Sequence, residues 1–336
     1  MTDSRDPSMY QLSEEELRSI FEEQIRPGYT GTSRDNPVVV FIAGQPGAGK
    51  TTVESQVLRH LGREDAVAVD GDELFLYHPD YDGLAAENDQ TVRSLLTSAA
   101  DDWWMMLAEH IREQRFDVVI SAPLAGADWA AARFADFRHA GYRLEYVFVA
   151  VHEARSLLAV LDRYQQERDA SGVGRFVRPE IHDKAYAAVL GTVDRLEAER
   201  LVDAVYVLRR GGEVVYHNSL DDAGNWREPA GLRRAIEQER SRPWTDEERD
   251  HFHRRAQATA ERISEHLRPA LDEAARRAVA HLGLGDRGPA STTAARAFPS
   301  STMAALSETP ASSASRSSAT ATSSMRSASG DRSASR

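Results

Sequence analysis

The chain contains no cysteine, which excludes disulfide bonds, thiolate metal sites and a cysteine nucleophile. It also contains no run of eighteen apolar residues, so we expect no membrane-spanning helix. Residues 1–17 are polar and acidic and lack the apolar centre of a secretory signal. These absences favour a soluble cytoplasmic protein that does not act at a membrane.

Positive charge is scarce relative to negative charge, because 41 Lys and Arg residues stand against 53 Asp and Glu residues, a net charge of -12. A chain with this balance is not expected to attract nucleic acid by general electrostatics. Apolar residues make up 41% of the 336 residues, which is slightly low for a globular chain of this length. We therefore expect part of the chain to lie outside any packed core.

Composition divides the chain into four predicted parts: a helical lead-in over 1–36, a central domain over 37–227, a helical extension over 228–285 and a tail over 286–336. In the lead-in, Ser13 followed by Glu16 predicts a helix that begins with a capping box. The stretch from Pro243 to Leu284 is rich in Arg, Glu and Ala at helical spacing and predicts a helical hairpin or one long helix. The tail consists largely of Ser, Ala and Thr. It cannot bury enough apolar area to offset its ordering entropy, so we predict disorder.

The central domain alternates strand patterns with helix patterns. The first pattern, 37–43, is a nearly unbroken β-branched run, which is typical of a strand covered on both faces. Further strands are predicted at 66–69, 117–120, 144–151, 204–208 and 214–216, and helices at 50–61, 91–115, 129–140, 154–168 and 179–200. The last two strands flank Gly211-Gly212 and predict a hairpin. The alternation predicts an α/β fold, with a mostly parallel sheet, helices on both faces and ligands beyond the carboxyl ends of the strands.

One motif between the first strand and the first helix of this domain predicts nucleotide binding. The pattern G-x-x-x-x-G-K-[ST] is matched at every position by Gly44, Gln45, Pro46, Gly47, Ala48, Gly49, Lys50 and Thr51, and Thr52 follows. Glycines let successive backbone N–H groups point at phosphate oxygens, and the helix adds its positive end. In such a loop Lys50 reaches the β- and γ-phosphates and the Thr51 hydroxyl ligates Mg²⁺. A Gly-rich turn that matches by chance would not be expected to lie between a strand and a helix.

Two acids follow the second predicted strand. Asp70 and Asp72 would lie near the γ-phosphate, where a kinase needs a carboxylate to accept a proton or to hold Mg²⁺. Asp-Gly-Asp is also good turn chemistry, so a purely structural turn is the alternative. The position favours function for one of the two acids.

Four arginines, Arg163, Arg168, Arg175 and Arg178, lie on a predicted helix end and on the polar loop after it. Arginines on such a segment can fold over ATP and neutralise the transferring phosphoryl group. A solvated basic face is the alternative, especially for Arg168 and Arg178. The third strand ends in Ser121-Ala122-Pro123, without the acid typical of motor ATPases and GTPases, which favours a small-molecule kinase.

These residues together resemble the zeta toxin family over roughly 38–217. The resemblance rests on the phosphate loop 44–52, on Asp70–Phe75 and His78–Tyr81, and on the later Arg163-Tyr164, Arg175 and His182-Asp183. Members of that family are P-loop kinases that phosphorylate UDP-N-acetylglucosamine. The resemblance implies ATP and Mg²⁺ as cofactors and a sugar nucleotide as substrate. It also implies that a small antitoxin protein can block the nucleotide site.

The resemblance also implies a role for each matching position. Asp72, rather than Asp70, would be the base that activates the 3′-hydroxyl of the sugar. Lys50 would bind the phosphates, Thr51 the Mg²⁺, and Arg163 and Arg175 would clamp the triphosphate.

One departure from the family pattern concerns the acceptor. After the third strand the family carries a Glu, with a Thr and an Arg nearby, which contact the sugar nucleotide. Here Ser121, Pro123 and Ala125 stand in those places, so only Ser121 remains as a polar substrate contact. Either UDP-N-acetylglucosamine is held by other groups, or the acceptor is another hydroxyl compound such as an antibiotic or a nucleoside. A nucleotide-binding protein that has lost catalysis is the third hypothesis.

Overall fold

The computed structural model describes residues 5–61 and 65–282. The predicted disordered tail over 286–336 lies outside the described residues. The described chain forms one six-stranded sheet in the order β2-β3-β1-β4-β5-β6, in which β6 alone is antiparallel to its neighbour. The strands are β1 Val38–Ala43, β2 Val67–Asp70, β3 Val118–Ser121, β4 Arg143–Val149, β5 Ala204–Leu208 and β6 Val214–Ser219.

Helices follow or separate the strands as the alternation predicts. They are α1 Glu14–Ile20, α2 Lys50–Leu61, α3 Tyr81–Asn88, α4 Val92–Gln114, α5 Ala127–His139, α6 Glu153–Ser171, α7 Pro179–Glu199, α8 Leu232–Ser241, α9 Asp246–Arg262 and α10 Arg268–Ala278. The capping box at the start of α1 is confirmed, because Ser13 and Glu16 exchange both hydrogen bonds. Within the described part of the chain, no helix is both long enough and apolar enough to span a bilayer.

Both faces of the sheet are covered, as predicted from the β-branched sequence of β1. Phe41 packs edge-on against Phe134 and Phe137 of α5 on one face, with ring centroids 4.8 and 5.7 Å apart. Ile42 points to the opposite face, where it joins a core that includes Val53 of α2. Because successive side chains of a strand alternate between faces, a strand buried along its whole length requires such a double cover.

The segment after the sheet forms two kinds of contact. Helix α8 packs Leu232 and Ile236 into the main core of the sheet. Helices α9 and α10 form a second core against α6, in which Trp244, Phe252 and Leu271 are fully or almost fully buried. Of the two structures predicted between Pro243 and Leu284, a helical hairpin or one long helix, the described residues show two helices, α9 and α10. The domain boundary at residues 227 and 228 stays a prediction.

The loops that follow β1, β2 and β3 all begin at the same edge of the sheet. Strands β2, β3 and β1 are neighbours, and their register pairs Asp70 with Ser121 and Ser121 with Ile42. The phosphate-loop motif begins directly after β1, at Gly44. Because parallel strands end at the same edge, the loop and these two polar residues lie side by side there.

Candidate functional site

The loop after β1 has the backbone shape that its glycines suggest. Gly44, Gly47 and Gly49 have φ angles of +142°, +79° and +98°, which side chains rarely allow. At Gly47 a Cβ would also collide with the carbonyl oxygen of Ser156. The loop ends where α2 begins at Lys50, so the positive end of that helix faces the space that the loop encloses.

Lys50 lies over this loop. Its Nζ donates to the carbonyl oxygen of Gly44 at 3.0 Å. Burial lowers the pKa of Lys50 to about 8, opposed by the negative charges of Asp72 and Asp70 and assisted by the positive charge of Arg163. A phosphate bound by the loop would add negative charge beside the Lys50 ammonium and would favour its charged form.

The side chain of Gln45 braces the loop from within. It is fully buried, and its Nε2 donates to the carbonyl oxygen of Val151 at 2.8 Å and to Ser156 Oγ at 3.1 Å. Its Oε1 accepts from Nη2 of Arg240 on α8 at 3.1 Å. Gln45 belongs to the predicted nucleotide-binding loop, but its side chain forms hydrogen bonds inside the protein.

The brace extends to the C-terminal helices through His182 and Asp183. Burial lowers the pKa of His182, so the neutral ring donates from Nδ1 to Asp183 Oδ1 at 2.9 Å and pairs through Nε2 with Ser156 Oγ at 2.8 Å. Both carboxylate oxygens of Asp183 accept from Arg277 of α10 at 2.7 Å. These bonds from Arg277, above all, lower the pKa of Asp183 to about 2. A continuous hydrogen-bond path therefore joins the phosphate loop to α10.

Replacement of Arg240 by methionine is expected to lower the free energy of unfolding by about 2–4 kcal/mol. Arg240 is 4% exposed. Its guanidinium donates to the backbone carbonyl oxygen of Tyr186 at 3.0 Å and lies 3.7 Å from the centroid of the Tyr186 ring. Methionine would leave Gln45 Oε1 buried without its donor. Urea unfolding measures the loss.

Arg233 on the same helix is the matched control. Its ion pairs with Glu237 and Asp194 are about half exposed, so Arg233→Met should cost less than about 1 kcal/mol. Equal losses in the two variants would show that the buried bond to the loop contributes nothing special.

The two acids after β2 have different surroundings. Asp70 is the N-cap of a 3-10 helix, Gly71–Tyr77, and its Oδ1 accepts from the backbone N–H of Asp72 at 2.9 Å. Asp72 instead projects beside Arg93 of α4, whose Nη2 lies 2.9 Å from Asp72 Oδ1. Both acids line the cavity in front of the loop, but Asp70 also caps the local turn, whereas Asp72 pairs with Arg93.

The charge state of Asp72 is set by opposing effects. Burial raises its pKa, but the charge and hydrogen bond of Arg93 and the charges of Lys50 and Arg163 outweigh burial and hold the pKa below its usual value. Asp72 is therefore a carboxylate at neutral pH, able to accept a hydrogen bond or a proton from a hydroxyl group.

Arg163 and Arg175 share one acidic partner. Arg175 Nε donates to Glu167 Oε1 at 3.1 Å, and Arg163 Nε lies 4.0 Å from the same oxygen. Arg163 lines the cavity, and Arg175 Nη1 lies 3.8 Å from Asp70 Oδ2. The structure thus brings both predicted clamp residues to the acid end of the site.

The other two arginines of this group lie elsewhere. Arg168 donates from Nη1 to Asp89 Oδ1 at 3.2 Å and to the Tyr164 hydroxyl at 3.0 Å, so it ties α6 to the chain before α4. Arg178 is exposed at the N-cap position of α7. Exposed Arg178 fits the alternative of a solvated basic face, whereas Arg168 fits neither that alternative nor the clamp, because it pairs with the buried Asp89.

The carboxylate at the end of β3 comes from a different element than the family pattern suggests. Ser121 Oγ donates at 2.6 Å to Oε2 of Glu54, which lies on α2 one turn after Lys50. Burial raises the pKa of Glu54, partly offset by the Ser121 hydrogen bond. Sequence spacing gave no reason to connect these residues, which are 67 positions apart.

A cavity of about 540 Å³ extends from the loop past Asp72 to an aromatic wall. Trp104 of α4 and Trp129 of α5 form that wall, with ring centroids 5.0 Å apart, and Trp129 is 43% exposed. The rest of this end is lined by Phe75, Ala100, Asp101, Ser121, Ala122, Pro123 and Ile181. Aromatic faces of this kind bind the flat or apolar face of a ring.

The residues of the loop fit a magnesium-bound nucleoside triphosphate. The left-handed glycines, the start of α2, Lys50 and the exposed Thr51 provide the amide, cation and hydroxyl groups that such a ligand needs. Among residues 5–61 and 65–282, no cluster of three or more His, Asp or Glu side chains could hold a metal alone. Phosphate oxygens would have to complete the ligand shell of Mg²⁺, which is its common mode in such sites.

Comparison with known proteins agrees with this geometry. The zeta toxin of Enterococcus hirae is 21% identical over 183 residues, which cover 54% of this chain and 64% of that protein, less than two thirds of its length. The toxin PezT of Streptococcus pneumoniae is 23% identical over 185 residues, covering 55% of this chain and 73% of that protein.

A solved chain from the PezAT chromosomal toxin–antitoxin system of Streptococcus pneumoniae has the same fold. It superposes with a TM-score of 0.64 at 17% identity, over 75% of this chain and 99% of that chain. The family model for zeta toxin matches residues 25–221, which is more than half of the 336 residues. The chain therefore belongs to the zeta toxin family.

Proposed function

We propose that this protein is an ATP- and Mg²⁺-dependent kinase that transfers the γ-phosphoryl group of ATP to a hydroxyl group of a small molecule. One observation carries the proposal: Lys50 of the phosphate loop and the ionised Asp72 line the same cavity and influence each other's pKa. A phosphate held by Lys50 and a hydroxyl group held by Asp72 would meet between them.

Each residue has a role that follows from its position. The loop amides and Lys50 would hold the β- and γ-phosphates, while Mg²⁺ bound by Thr51 would offset their negative charge. Arg163 and Arg175 would neutralise charge on the transferring group, and Asp72 would accept the proton of the attacking hydroxyl. Since phosphoryl transfer needs little covalent help, placement and charge supply most of the rate.

We propose the 3′-hydroxyl of UDP-N-acetylglucosamine as the first acceptor to test, because the family resemblance implies it. The acceptor end of the cavity favours a second candidate, another hydroxyl compound such as an antibiotic or a nucleoside. There Ser121 is bonded to Glu54, Trp104 and Trp129 form the aromatic wall, and Ala125 stands where the family pattern has an arginine. Such a wall suits a ring without a diphosphate.

An acceptor panel separates these candidates. Purified full-length protein is incubated with Mg-ATP and UDP-N-acetylglucosamine, nucleosides or hydroxyl-bearing antibiotics, and products are identified by mass spectrometry and phosphorus NMR. A phosphorylated sugar nucleotide supports the first acceptor, and a product only from another compound supports the second. Binding of ATP with transfer to no acceptor would contradict the proposed kinase activity and favour a decayed, nucleotide-binding function.

We also propose that the protein is cytoplasmic and that an antitoxin protein inhibits it by covering the nucleotide site. The support is family membership and the toxin–antitoxin system to which the structurally similar chain belongs. A partner bound there would compete with ATP. An affinity for ATP that is unchanged in the presence of such a partner would contradict this mode of inhibition.

A further inference from the structure

Arg210 is a residue near the phosphate loop to which neither the motif nor the family resemblance assigns a role. It lies in the turn between β5 and β6 and lines the same cavity as Lys50 and Thr52. A Cβ placed on Gly49 would be 3.0 Å from Arg210 Cγ and 3.5 Å from its Nε. The side chain therefore packs directly along the loop, and it is largely buried there.

The guanidinium of Arg210 has no partner within the described ranges 5–61 and 65–282, where it forms neither a hydrogen bond nor an ion pair. Its two cationic neighbours are both satisfied. Arg255 of α9 donates to Asp162 Oδ2 at 2.6 Å, and Arg155 donates to a Glu248 oxygen at 2.5 Å. A largely buried cation without a direct anionic partner is costly, and Asp162 acts on Arg210 only at a distance, so its presence beside a ligand cavity suggests that a ligand supplies the anion.

Arg210 remains charged in this setting. Burial, followed by repulsion from Arg255 and Arg155, lowers its pKa to about 10, which is still well above neutral pH. A partly buried guanidinium that lines the cavity and, among the described residues, keeps its donors free of protein partners is well suited to bind a phosphate oxygen.

The charges around Arg210 show which end of the cavity it serves. Lys50 is influenced by Asp72, Asp70 and Arg163, whereas Arg210 is influenced by Arg255, Arg155 and Asp162. The two cations thus lie in different charge environments along one loop. Lys50 lies with Asp72 and Arg163, and Arg210 packs against Gly49 with Arg255 in the same cavity, so we assign the nucleoside half of a triphosphate to the Arg210 end.

We propose that Arg210 binds the α-phosphate of the nucleoside triphosphate, with Arg255 of the C-terminal helix pair beside it in the same cavity. This inference rests on the proposed function, since it takes ATP as the ligand. It assigns the β5–β6 turn and α9 a direct part in the nucleotide site, in addition to their packing roles.

The test compares Arg210→Gln with Arg209→Gln in the full-length protein. Arg209 is the matched control, because its side chain is 36% exposed, pairs with Glu213 and Glu239 and does not line the cavity. Calorimetry with Mg²⁺ measures the affinities for ATP and for tripolyphosphate, which carries three phosphates but no nucleoside. Steady-state kinetics with ATP measures KM and kcat separately.

We expect Arg210→Gln to lower the affinities for ATP and for tripolyphosphate about tenfold, because a charge-assisted hydrogen bond is lost. Arg209→Gln should change neither affinity. KM for ATP should rise while kcat stays within about twofold, since the α-phosphate gains no charge during transfer. Without nucleotide, the melting temperature of Arg210→Gln should equal or exceed that of the wild type.

Other outcomes would overturn the assignment. Weaker binding of ATP with unchanged binding of tripolyphosphate would mean that Arg210 contacts the nucleoside. A fall in kcat at constant KM would mean that Arg210 contacts the γ-phosphate. A lower melting temperature without nucleotide would mean a structural role instead. If the wild type binds no ATP, the proposed function fails; if both proteins bind ATP equally well, only the inference about Arg210 fails.

Discussion

Replacement of Asp72 by asparagine is expected to slow phosphoryl transfer by about 10²- to 10⁴-fold and to leave the Kd for Mg-ATP within about threefold of the wild-type value. Asparagine keeps the size of the side chain and an oxygen for Arg93, which lies 2.9 Å away in the wild type. It cannot accept the proton of an attacking hydroxyl. Single-turnover transfer and calorimetry measure the two quantities on the same preparation.

The control is Asp70→Asn, two residues earlier. Asp70 caps the helix Gly71–Tyr77 through the backbone N–H of Asp72, and asparagine is an equally good cap. We expect this variant to keep transfer within about tenfold of the wild type. Near-normal transfer in Asp72→Asn together with a large loss in Asp70→Asn would reverse the assignment of the base.

The pH dependence of this step follows from the direction of the pKa shift. Because the charges of Arg93, Lys50 and Arg163 hold the pKa of Asp72 below its ordinary value, its carboxylate form persists through neutral and mildly acidic pH. Activity that depends on Asp72 should therefore be lost only in acid, at a pH below the ordinary pKa of an Asp carboxyl group. An acid limb near neutral pH that disappears in Asp72→Asn would contradict this picture.

Lys50→Met is expected to abolish measurable binding of ATP and turnover, yet to raise the melting temperature of the nucleotide-free protein by a few degrees. The ammonium of Lys50 is withdrawn from water, and within the part of the chain that the structure describes its hydrogen-bond partner is the Gly44 carbonyl alone, so its charge costs stability until phosphate binds. Removal of that charge relieves the cost. Thermal unfolding with and without ATP measures both effects.

Ligand linkage provides the internal control. Saturating Mg-ATP should stabilise the wild type and should leave Lys50→Met unchanged, which reverses the order of their melting temperatures.

The pH dependence of ATP binding has a definite sign. Since the pKa of Lys50 is lowered to about 8, its positive charge is present below that pH and is lost above it. The affinity for ATP should therefore fall as the pH rises through about 8. Unchanged affinity up to pH 10 would contradict the role of Lys50.

The features that sequence predicted well are local ones. The capping box of Ser13 and Glu16 needs residues three positions apart, and the phosphate loop needs one strand, one turn and one helix in succession. The helix predicted over 91–115 is observed at Val92–Gln114, because a long apolar stripe determines it. The unbroken apolar sequence of β1 likewise predicted a central, doubly covered strand.

The features that sequence missed depend on contacts between distant elements. Gln45 and Arg240 are 195 positions apart, and no periodicity connects them. Glu54 of α2 accepts a hydrogen bond from Ser121 at the end of β3, a contact between residues 67 positions apart. The position of Arg168 in the sequence is compatible with a phosphate clamp, but its guanidinium instead donates to the buried carboxylate of Asp89.

The aromatic wall likewise depends on a contact between distant elements, which sequence patterns do not reveal. Trp104 and Trp129 are visible in the sequence as two large residues on separate helices, and only the packing of α4 against α5 makes them a pair. Arg210 is a further case, because an arginine in a hairpin turn is ordinarily solvated. Its position against Gly49 follows from the order of strands in the sheet, which brings the β5–β6 turn to the phosphate loop.

Calorimetric titration of the nucleotide-free, full-length protein with Mg-ATP tests the central claim most directly. A loop of left-handed glycines with a lysine ammonium above it predicts saturable binding that requires Mg²⁺ and disappears in Lys50→Met. No heat of binding by the folded wild-type protein, together with an unchanged melting temperature at saturating ATP, would contradict it.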